Sequence, residues 1–178
     1  MIEPAFHFCP RCGGNLIITQ HEGESMQMCE SCHHILYKNQ NATVSGIVIH
    51  DHQMLCVRRG REPQKGMLDF VGGFVRADEK PALAIVRETE EELGVKSSVI
   101  QLFGAYGPST YPYEGITHYN LDLIYQIRLG SFDLKPQDDV AGFEWIDLAA
   151  LPYGQMAFPS QNEFLEEVKK GKIHLEEK

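Results

Sequence analysis

Three glutamates in the segment 81–93 have the residue type and the spacing to bind a divalent cation. Glu91 and Glu92 follow Glu88 by three and four residues, so the three share one face if the segment is an α-helix. Carboxylates on adjacent turns repel one another by roughly a few tenths of a kcal/mol per pair. A hard cation such as Mg²⁺ or Mn²⁺ prefers oxygen ligands and would relieve that repulsion. The face is therefore a candidate metal site, and a solvated acidic surface is the alternative.

A helix over 81–93 would position these carboxylates. Pro81 suits the first helical position, where its missing N–H costs nothing, and Gly94 suits the left-handed position that ends a helix. The residues predicted to pack on the other side of the helix are Ala82, Ile85, Val86, Thr89 and Leu93. Arg87 follows Glu79 by eight residues, so we expect it to orient acidic groups around the site.

Four of the five cysteines form two Cys-x-x-Cys pairs, Cys9 with Cys12 and Cys29 with Cys32, with sixteen residues between the pairs. This is the ligand spacing of a four-cysteine zinc site, and zinc would supply folding free energy that so short a segment lacks. Disulfide bonds are the alternative, but they fit poorly with a cytosolic chain. Because four ligands leave no open position, the sequence predicts a structural Zn²⁺. Cys56 lies in an apolar run and is interpreted as a buried hydrophobe.

The remaining chain alternates strand-like and helix-like segments. The predicted strands are 41–51, 54–60, 67–73, 98–106, 117–129 and 140–147, the first two forming a hairpin. Asp147 is predicted to cap a short helical turn. Ser160, with Glu163 three residues later, has the signature of a capping box before a last helix that ends at Gly171.

The order of residues around the acidic face matches a known signature. It runs glycine, five residues, glutamate, seven residues, Arg-Glu, two residues, Glu-Glu, one residue, glycine and an apolar residue. The matching residues are Gly73, Glu79, Arg87, Glu88, Glu91, Glu92, Gly94 and Val95. This stretch resembles the signature of the Nudix hydrolases, with Thr89 where the pattern prefers an aliphatic residue. The resemblance implies an α/β fold, the Nudix α/β/α sandwich with a mixed β-sheet, at residues 39–178, preceded by a small zinc ribbon at 1–38.

The resemblance also implies a reaction. Nudix enzymes hydrolyse a nucleoside diphosphate linked to another group at its pyrophosphate, with the help of a divalent metal. The residues it implies in catalysis are Glu88, Glu91 and Glu92 as ligands of Mg²⁺ or Mn²⁺, with Arg87 and Glu79 beside them. The base is one of these glutamates or a later acid; the later candidates, which also suit a solvated surface, are Glu114, Asp138 and Asp139. A zinc ribbon before this signature is similar to the arrangement in NADH pyrophosphatases and in enzymes that act on ADP-ribose or FAD.

Substrate contacts are expected from three places. The segment 104–120 is rich in glycine and proline and is interpreted as a loop whose Tyr111 and Tyr113 stack on a base; packing within the loop or a dimer contact is the alternative. Arg58, with the arginines at 59 and 61, would meet phosphates or remain solvated. Phe158 matches part of a longer motif of NADH pyrophosphatases, whose tryptophan this chain lacks. That departure favours ADP-ribose, FAD or another dinucleotide, and packing of the last helix is the alternative role for Phe158.

Charge and hydropathy argue against several classes of protein. The net charge of −9 disfavours a general nucleic-acid binder. We expect a cytoplasmic protein without a membrane partner, because the N-terminal segment has neither a basic start nor an apolar run. Dimers are common among Nudix enzymes, so the resemblance implies a homodimer that acts on a small nucleotide. The alternatives are a non-catalytic nucleotide sensor, a nucleic-acid-associated module and an enzyme that removes a nucleotide cap from RNA; a sensor would be expected to lose the metal-binding glutamates.

Overall fold

The computed structural model describes residues 6–113 and 115–177. The chain divides into two compact units, the first ending at Asn39 and the second beginning at Gln40, next to the boundary predicted from the sequence. The strands are β1 (Leu16–His21), β2 (Glu24–Cys29), β3 (Ile35–Leu36), β4 (Asn41–Ile47), β5 (Ile49–His50), β6 (Gln53–Arg59), β7 (Leu68–Asp69), β8 (Val71–Phe74), β9 (Ser97–Tyr113), β10 (Ile116–Leu129) and β11 (Val140–Asp147). The helices are α1 (Pro81–Leu93) and α2 (Pro159–Lys169), with a 3₁₀ turn at Leu148–Ala150.

The first unit is a three-stranded antiparallel sheet, β1-β2-β3, with one cysteine-bearing turn before β1 and the other after β2, at the open end of the β1–β2 hairpin. In the first turn the Gly13 N–H donates to the Cys9 carbonyl at 2.9 Å, and in the second the His33 N–H donates to the Cys29 carbonyl at 3.0 Å. Gly13 has a φ of 73°, a left-handed conformation that glycine adopts at little cost. The turns fold both Cys-x-x-Cys pairs back on themselves.

The second unit contains two four-stranded groups. One sheet has the order β8-β4-β10-β9, in which β4 and β10 run parallel and the other pairs antiparallel. The other has the order β11-β6-β5, with β7 also pairing with β6. The predicted mixed sheet is therefore confirmed, and β5 with β6 forms the expected hairpin.

Helices cover both sides of these strands and each closes a separate core. On the α1 side, Ala84, Ile85 and Leu93 pack among buried residues of the strands, including Val44 and Ile127. On the α2 side the buried helix residues are Phe164 and Leu165, packed against Ile47, Phe70, Tyr106 and Ile124. This is the predicted α/β/α sandwich. Among the described residues, no helix is both long enough and apolar enough to cross a membrane.

Helix α1 begins and ends where the sequence predicts. Pro81 occupies the first turn, and Gly94 follows the helix in a left-handed conformation with φ 69°, donating its N–H to the Glu90 carbonyl at 3.0 Å. Thr89 lies fully buried on the packing face and donates its hydroxyl to the Ile85 carbonyl at 2.7 Å. Its polar group is thus satisfied inside the helix, which explains how a threonine replaces an aliphatic residue here.

Two predicted strands change sheet part-way along. The segment 41–51 divides at Val48 into β4 and β5, and 67–73 divides at Phe70 into β7 and β8. In each case the first part and the second part pair in different sheets. This crossing brings the end of β8, with Gly72 and Gly73, against α1.

The interpretation of 104–120 as a loop is wrong. Most of this segment continues β9 and β10, which pair in an antiparallel hairpin with several register shifts. Strand β9 lies at the edge of its sheet, so Pro108 and Pro112 deprive no inner strand of a ladder hydrogen bond. Turn-forming residues therefore mark an irregular edge strand here, not an irregular loop.

The predicted capping box is also wrong. Helix α2 begins at Pro159 after an extended Phe158, and no side chain caps its N-terminus. The Ser160 hydroxyl instead donates to the Asp122 carboxylate at 3.2 Å. Ser160 thus bonds to Asp122 of β10 instead of to the N-terminus of its own helix. Asp147, in contrast, does cap the 3₁₀ turn, accepting from the Ala149 N–H at 2.7 Å.

Candidate active site

A cleft of about 530 Å³ in the second unit gathers most of the predicted site residues. It is bounded by β4, β8, α1, the β9–β10 hairpin and the start of α2. The predicted residues that line it are Arg87, Glu88, Glu91, Glu92, Tyr111, Tyr113, Asp138, Asp139 and Phe158. Glu79 lies behind this lining, and Arg58 lies outside it. Glu114 is outside the described residues.

Arg87 organises the exposed half of the acidic face. Its guanidinium donates to both oxygens of Glu79 at 2.8 Å, to Glu88 at 2.7 Å and to Glu91 at 2.7 Å. It also donates to the Phe74 carbonyl at 3.1 Å, which ties α1 to the end of β8. The hydrogen bonds from Arg87 lower the pKa of Glu79 to about 2. Glu79 therefore stays ionised and pairs with Arg87 behind the lining of the cleft.

Glu92 occupies the buried half of this face. Its side chain accepts a hydrogen bond from the Gly72 N–H at 3.0 Å, and the residue is 6 % exposed. Burial raises the pKa of Glu92 to about 9, and the carboxylates of Asp69, Glu88 and Asp139 contribute to the rise. An ionised Glu92 therefore needs added positive charge in the cleft.

Gly72 and Gly73 allow β8 to approach its neighbours closely. Gly72 has a φ of 153°, and a Cβ there would lie 2.0 Å from the Val44 carbonyl oxygen. A Cβ on Gly73 would lie 2.7 Å from the carboxylate of Glu88. A side chain at either position would displace the backbone or the glutamate.

The donor set fits a hard divalent cation. Glu88, Glu91 and Glu92 offer carboxylate oxygens at one wall of the cleft, and burial also raises the pKa of Glu88. In this structure the positive charge near Glu88 and Glu91 comes from Arg87 and from Arg76, which donates to Glu91 at 3.2 Å. A cation bound there would supply the positive charge that an ionised Glu92 needs.

Two further buried acids line the cleft, and neither was predicted from the sequence. Asp69 pairs with Arg59 at 2.6 Å and accepts from Gln161; burial raises its pKa while Arg59 opposes the rise. Asp122 accepts from the hydroxyls of Ser45, Thr43 and Ser160. Asp122 lies in an apolar alternating strand, where an inward-pointing acid is unusual, and that is the one sequence signal that could have identified it.

Asp122 predicts a pH dependence of stability. Burial raises its pKa from 3.8 to about 6, so its contribution to folding is full below pH 3.8 and is lost as the pH rises through about 6. Relative to Asp122→Asn, the wild type should lose about 3 kcal/mol of unfolding free energy over that window. Urea unfolding of both proteins at pH 4 and pH 7.5 measures this, with the exposed Asp133→Asn as the control. Parallel pH dependences for wild type and Asp122→Asn would contradict it.

An aromatic wall forms the other side of the cleft. Tyr111 stacks on His118 with ring centroids 5.5 Å apart and an interplanar angle of 13°, and Tyr111 lies 5.3 Å from Phe158. The guanidinium of Arg59 lies over the Phe158 ring at 4.8 Å. His118 was not predicted, because its place opposite Tyr111 follows from the β9–β10 hairpin, in a segment interpreted from the sequence as a loop.

The arginines at the strand end divide between two faces. Arg58 pairs with Glu144 and donates to the Gly66 carbonyl at 2.7 Å, away from the cleft. Arg59 and Arg61 do line the cleft, and Arg61 pairs with Asp139. Alternation along β6 explains the difference, because neighbouring residues of a strand point to opposite faces.

The four cysteines of the first unit come together as their spacing predicts. Their sulfurs lie within 4.8 Å of one another, with Cys12 at 3.3 Å from Cys32 and 3.5 Å from Cys29. Zn–S bonds of about 2.3 Å give a tetrahedral edge of about 3.8 Å, whereas a disulfide needs about 2.0 Å. The N–H groups of Cys32 and Ser31 lower the pKa of the Cys29 thiol to about 7. Against a hydrogen bond from the Gly14 N–H, contacts with the Cys32 and Cys29 sulfurs raise the pKa of Cys12 to about 12. The spacing of the four sulfurs is what suits the cluster to zinc.

Comparison with known proteins decides the family. The family model described as "NUDIX domain" matches residues 40–168. The chain belongs to the Nudix family. An ADP-ribose pyrophosphatase from Methanocaldococcus jannaschii is 32% identical over 117 residues, covering 66% of this chain and 68% of that protein. A Nudix hydrolase structure from Nitrosomonas europaea has a TM-score of 0.74 and 23% identity, covering 93% of this chain and 94% of that one.

A second group of Nudix relatives is longer than this chain. The NAD-capped RNA hydrolase NudC of Pseudomonas aeruginosa is 27% identical over 146 residues, which is 82% of this chain but 49% of that protein. The chain thus spans about half the length of these relatives. The Nudix domain of Shewanella oneidensis NrtR, complexed with ADP ribose, has a TM-score of 0.59 and 20% identity, covering 77% of this chain and 91% of that one.

Membership in the Nudix family confirms the central predictions. The family, the fold and the assignment as a hydrolase predicted from the signature are borne out. Nudix hydrolases generally use divalent metals, which agrees with the acidic face of α1. The roles of the individual cleft residues stay predictions.

Proposed function

We propose that this Nudix hydrolase cleaves the pyrophosphate of a dinucleotide or a nucleoside diphosphate sugar, of the ADP-ribose, NADH or FAD type, and releases AMP. One observation carries the proposal: a single cleft places the acidic face of α1 opposite an aromatic wall that would stack a base. The similarity to an ADP-ribose pyrophosphatase supports the same substrate class.

Glu88, Glu91 and Glu92 would hold Mg²⁺ or Mn²⁺, which when bound neutralises phosphate charge and lowers the pKa of a water. Arg87, held by Glu79, keeps Glu88 and Glu91 at the mouth of the site. Gly72 donates its N–H to Glu92 and so orients the buried carboxylate. These residues preorganise the site before a substrate arrives.

The other wall would bind the rest of the nucleotide. Tyr111, Tyr113 and Phe158 would contact the base, and Arg59 and Arg61 would meet phosphate oxygens. Asp138 and Asp139 line the cleft as candidate bases, although Asp139 is held by Arg61. Arg58 plays no part in this proposal, because its guanidinium pairs with Glu144.

A nucleotide cap on RNA is a second candidate substrate. It is favoured by the similarity to NAD-capped RNA hydrolases, because a cap pyrophosphate is the same chemical target. The net charge of −9 disfavours broad affinity for RNA. A structural Zn²⁺ on the four cysteines, a homodimer and a cytoplasmic location complete the proposal.

A hydrolysis screen tests the proposed function. With Mg²⁺ or Mn²⁺, we expect AMP and the matching phosphate product from at least one of ADP-ribose, NADH, NAD, FAD, diadenosine polyphosphates and an NAD-capped RNA oligonucleotide. Turnover should vanish when EDTA removes the divalent cation. Binding of ADP-ribose with no turnover across this panel would favour the nucleotide sensor instead.

A further inference from the structure

Two buried polar atoms in the lining of the cleft have no hydrogen-bond partner within the described part of the chain. They are the side-chain oxygen Oε1 of Gln161 and the hydroxyl of Ser109, and each residue is 2 % exposed. Leaving such a group without a partner costs about 1–3 kcal/mol, so buried polar atoms are normally paired. An unpaired acceptor in the lining of a binding cleft is therefore available to accept a hydrogen bond from a ligand or a water.

The orientation of the Gln161 amide is fixed by its neighbours. Its Nε2 donates to one oxygen of Asp69, and the guanidinium of Arg59 donates to the other oxygen at 2.6 Å. Arg59 can only donate and opposes the rise that burial gives the pKa of Asp69, so in this ion pair the Asp69 carboxylate accepts from both neighbours. The amide nitrogen therefore faces Asp69, which leaves the carbonyl oxygen unpaired in the lining of the cleft.

Arg59 connects this polar group to the aromatic wall. The same guanidinium that pairs with Asp69 lies over the ring of Phe158 at 4.8 Å, and Phe158 immediately precedes α2, three residues before Gln161. The polar edge of a base that stacks on this wall would thus face the start of α2.

We propose that Gln161 determines base specificity by accepting a hydrogen bond from the exocyclic amino group of the nucleobase. The inference rests on the proposed function for the location of the base. It assigns an amino-bearing base such as adenine to the cleft and excludes the 6-oxo base hypoxanthine, whose oxygen would meet the Gln161 oxygen. Asp69 and Arg59 act as positioning residues, since they set which end of the amide faces the ligand.

Calorimetric titration of the full chain with AMP and with IMP tests this proposal, because the two nucleotides differ at the amino and oxo position. We expect AMP to bind at least about tenfold more tightly than IMP, as one unsatisfied buried acceptor predicts. Gln161→Met keeps the length of the side chain without its polar atoms and should bring the two affinities within about twofold. Gln155→Met makes the same change at an exposed position outside the cleft and should keep the wild-type ratio.

A second variant reverses the orientation of the Gln161 amide. In Asp69→Asn the side-chain oxygen of the new asparagine must accept from Arg59, so the asparagine NH₂ group faces Gln161. That NH₂ group donates to the Gln161 side-chain oxygen, which turns the Gln161 NH₂ group toward the cleft. This variant should bind IMP more tightly than AMP. Circular dichroism spectra establish that each variant is folded before the titrations are compared.

The outcomes separate the inference from the proposed function. Equal binding of AMP and IMP by the wild type, a preference for IMP, or binding of neither nucleotide would overturn the role of Gln161, even if hydrolysis is observed. A preference for AMP that depends on Gln161, in a protein that hydrolyses no dinucleotide, would support the role of Gln161 while contradicting the proposed function.

Discussion

Replacing Glu92 with glutamine should lower kcat/KM for the Mg²⁺-dependent reaction by about a thousandfold, and Glu91→Gln should have a similar effect. Each substitution removes a carboxylate that would hold the cation, and metal stabilisation of phosphoryl-type transfer is worth several kcal/mol; about 4 kcal/mol corresponds to a thousandfold. The fold should survive. In Glu92→Gln the new amide oxygen can still accept from the Gly72 N–H, and the substitution removes a charge that burial disfavours.

Glu90→Gln is the matched control for these variants. Glu90 lies on the same helix, is exposed and does not line the cleft, so its loss removes the same charge without touching the site. Steady-state kinetics at saturating Mg²⁺, with thermal unfolding of each variant, measure the effect. If Glu91→Gln and Glu92→Gln keep activity close to that of Glu90→Gln, the proposed metal ligands are wrong.

Removal of zinc should unfold the first unit and leave the second folded. The free energy of structural zinc binding is about 10–16 kcal/mol in small zinc domains, far more than a three-stranded sheet of this size can supply. Under a zinc-selective chelator, amide hydrogen exchange should become fast across β1, β2 and β3. Strands β4 and β10 should keep their protection, because they belong to the second compact unit, which has its own hydrophobic core.

Cysteine variants of the full chain distinguish the loss of a zinc ligand from the loss of a cysteine that binds no zinc. Cys12→Ser should abolish the stoichiometric zinc measured by mass spectrometry and reproduce the rapid exchange. Cys56→Ala removes a thiol buried in the second unit, so it should keep one zinc per chain. Slow exchange in β1 and β2 of a zinc-free protein would show that the cysteine cluster needs no metal to fold.

The parts of the molecule that local chemistry determines were predictable. Helix α1 is bounded by Pro81 and Gly94 because their backbone preferences act within one turn. The cysteine turns follow equally from spacing. The acidic face could be assigned because residues three and four apart share a helix face whatever the rest of the chain does.

The missed residues depend on contacts that are distant in sequence. Asp122 meets Ser45 across 77 positions, and Gln161 meets Asp69 across 92. No local pattern encodes those pairs. The same reason explains the wrong capping box, since Ser160 gains a buried partner in Asp122 that an exposed helix end does not offer.

The β9–β10 hairpin illustrates a different limit. Glycine and proline between Gly104 and Asn120 indicate a turn when judged locally, yet strand pairing at the sheet edge tolerates them. The position of His118 opposite Tyr111 follows from the register of β9 against β10. The sequence therefore predicted Tyr111, Tyr113 and Phe158 as base contacts but not His118.

The most direct test of the proposed chemistry is ³¹P NMR of the products formed from ADP-ribose and Mg²⁺ in H₂¹⁸O. Cleavage of the pyrophosphate predicts AMP and ribose 5-phosphate in equal amounts, with one ¹⁸O in a single terminal phosphate, and no reaction after EDTA. ADP together with free ribose, or ADP-ribose that stays intact under conditions in which it is bound, would contradict the assignment of this cleft to pyrophosphate hydrolysis.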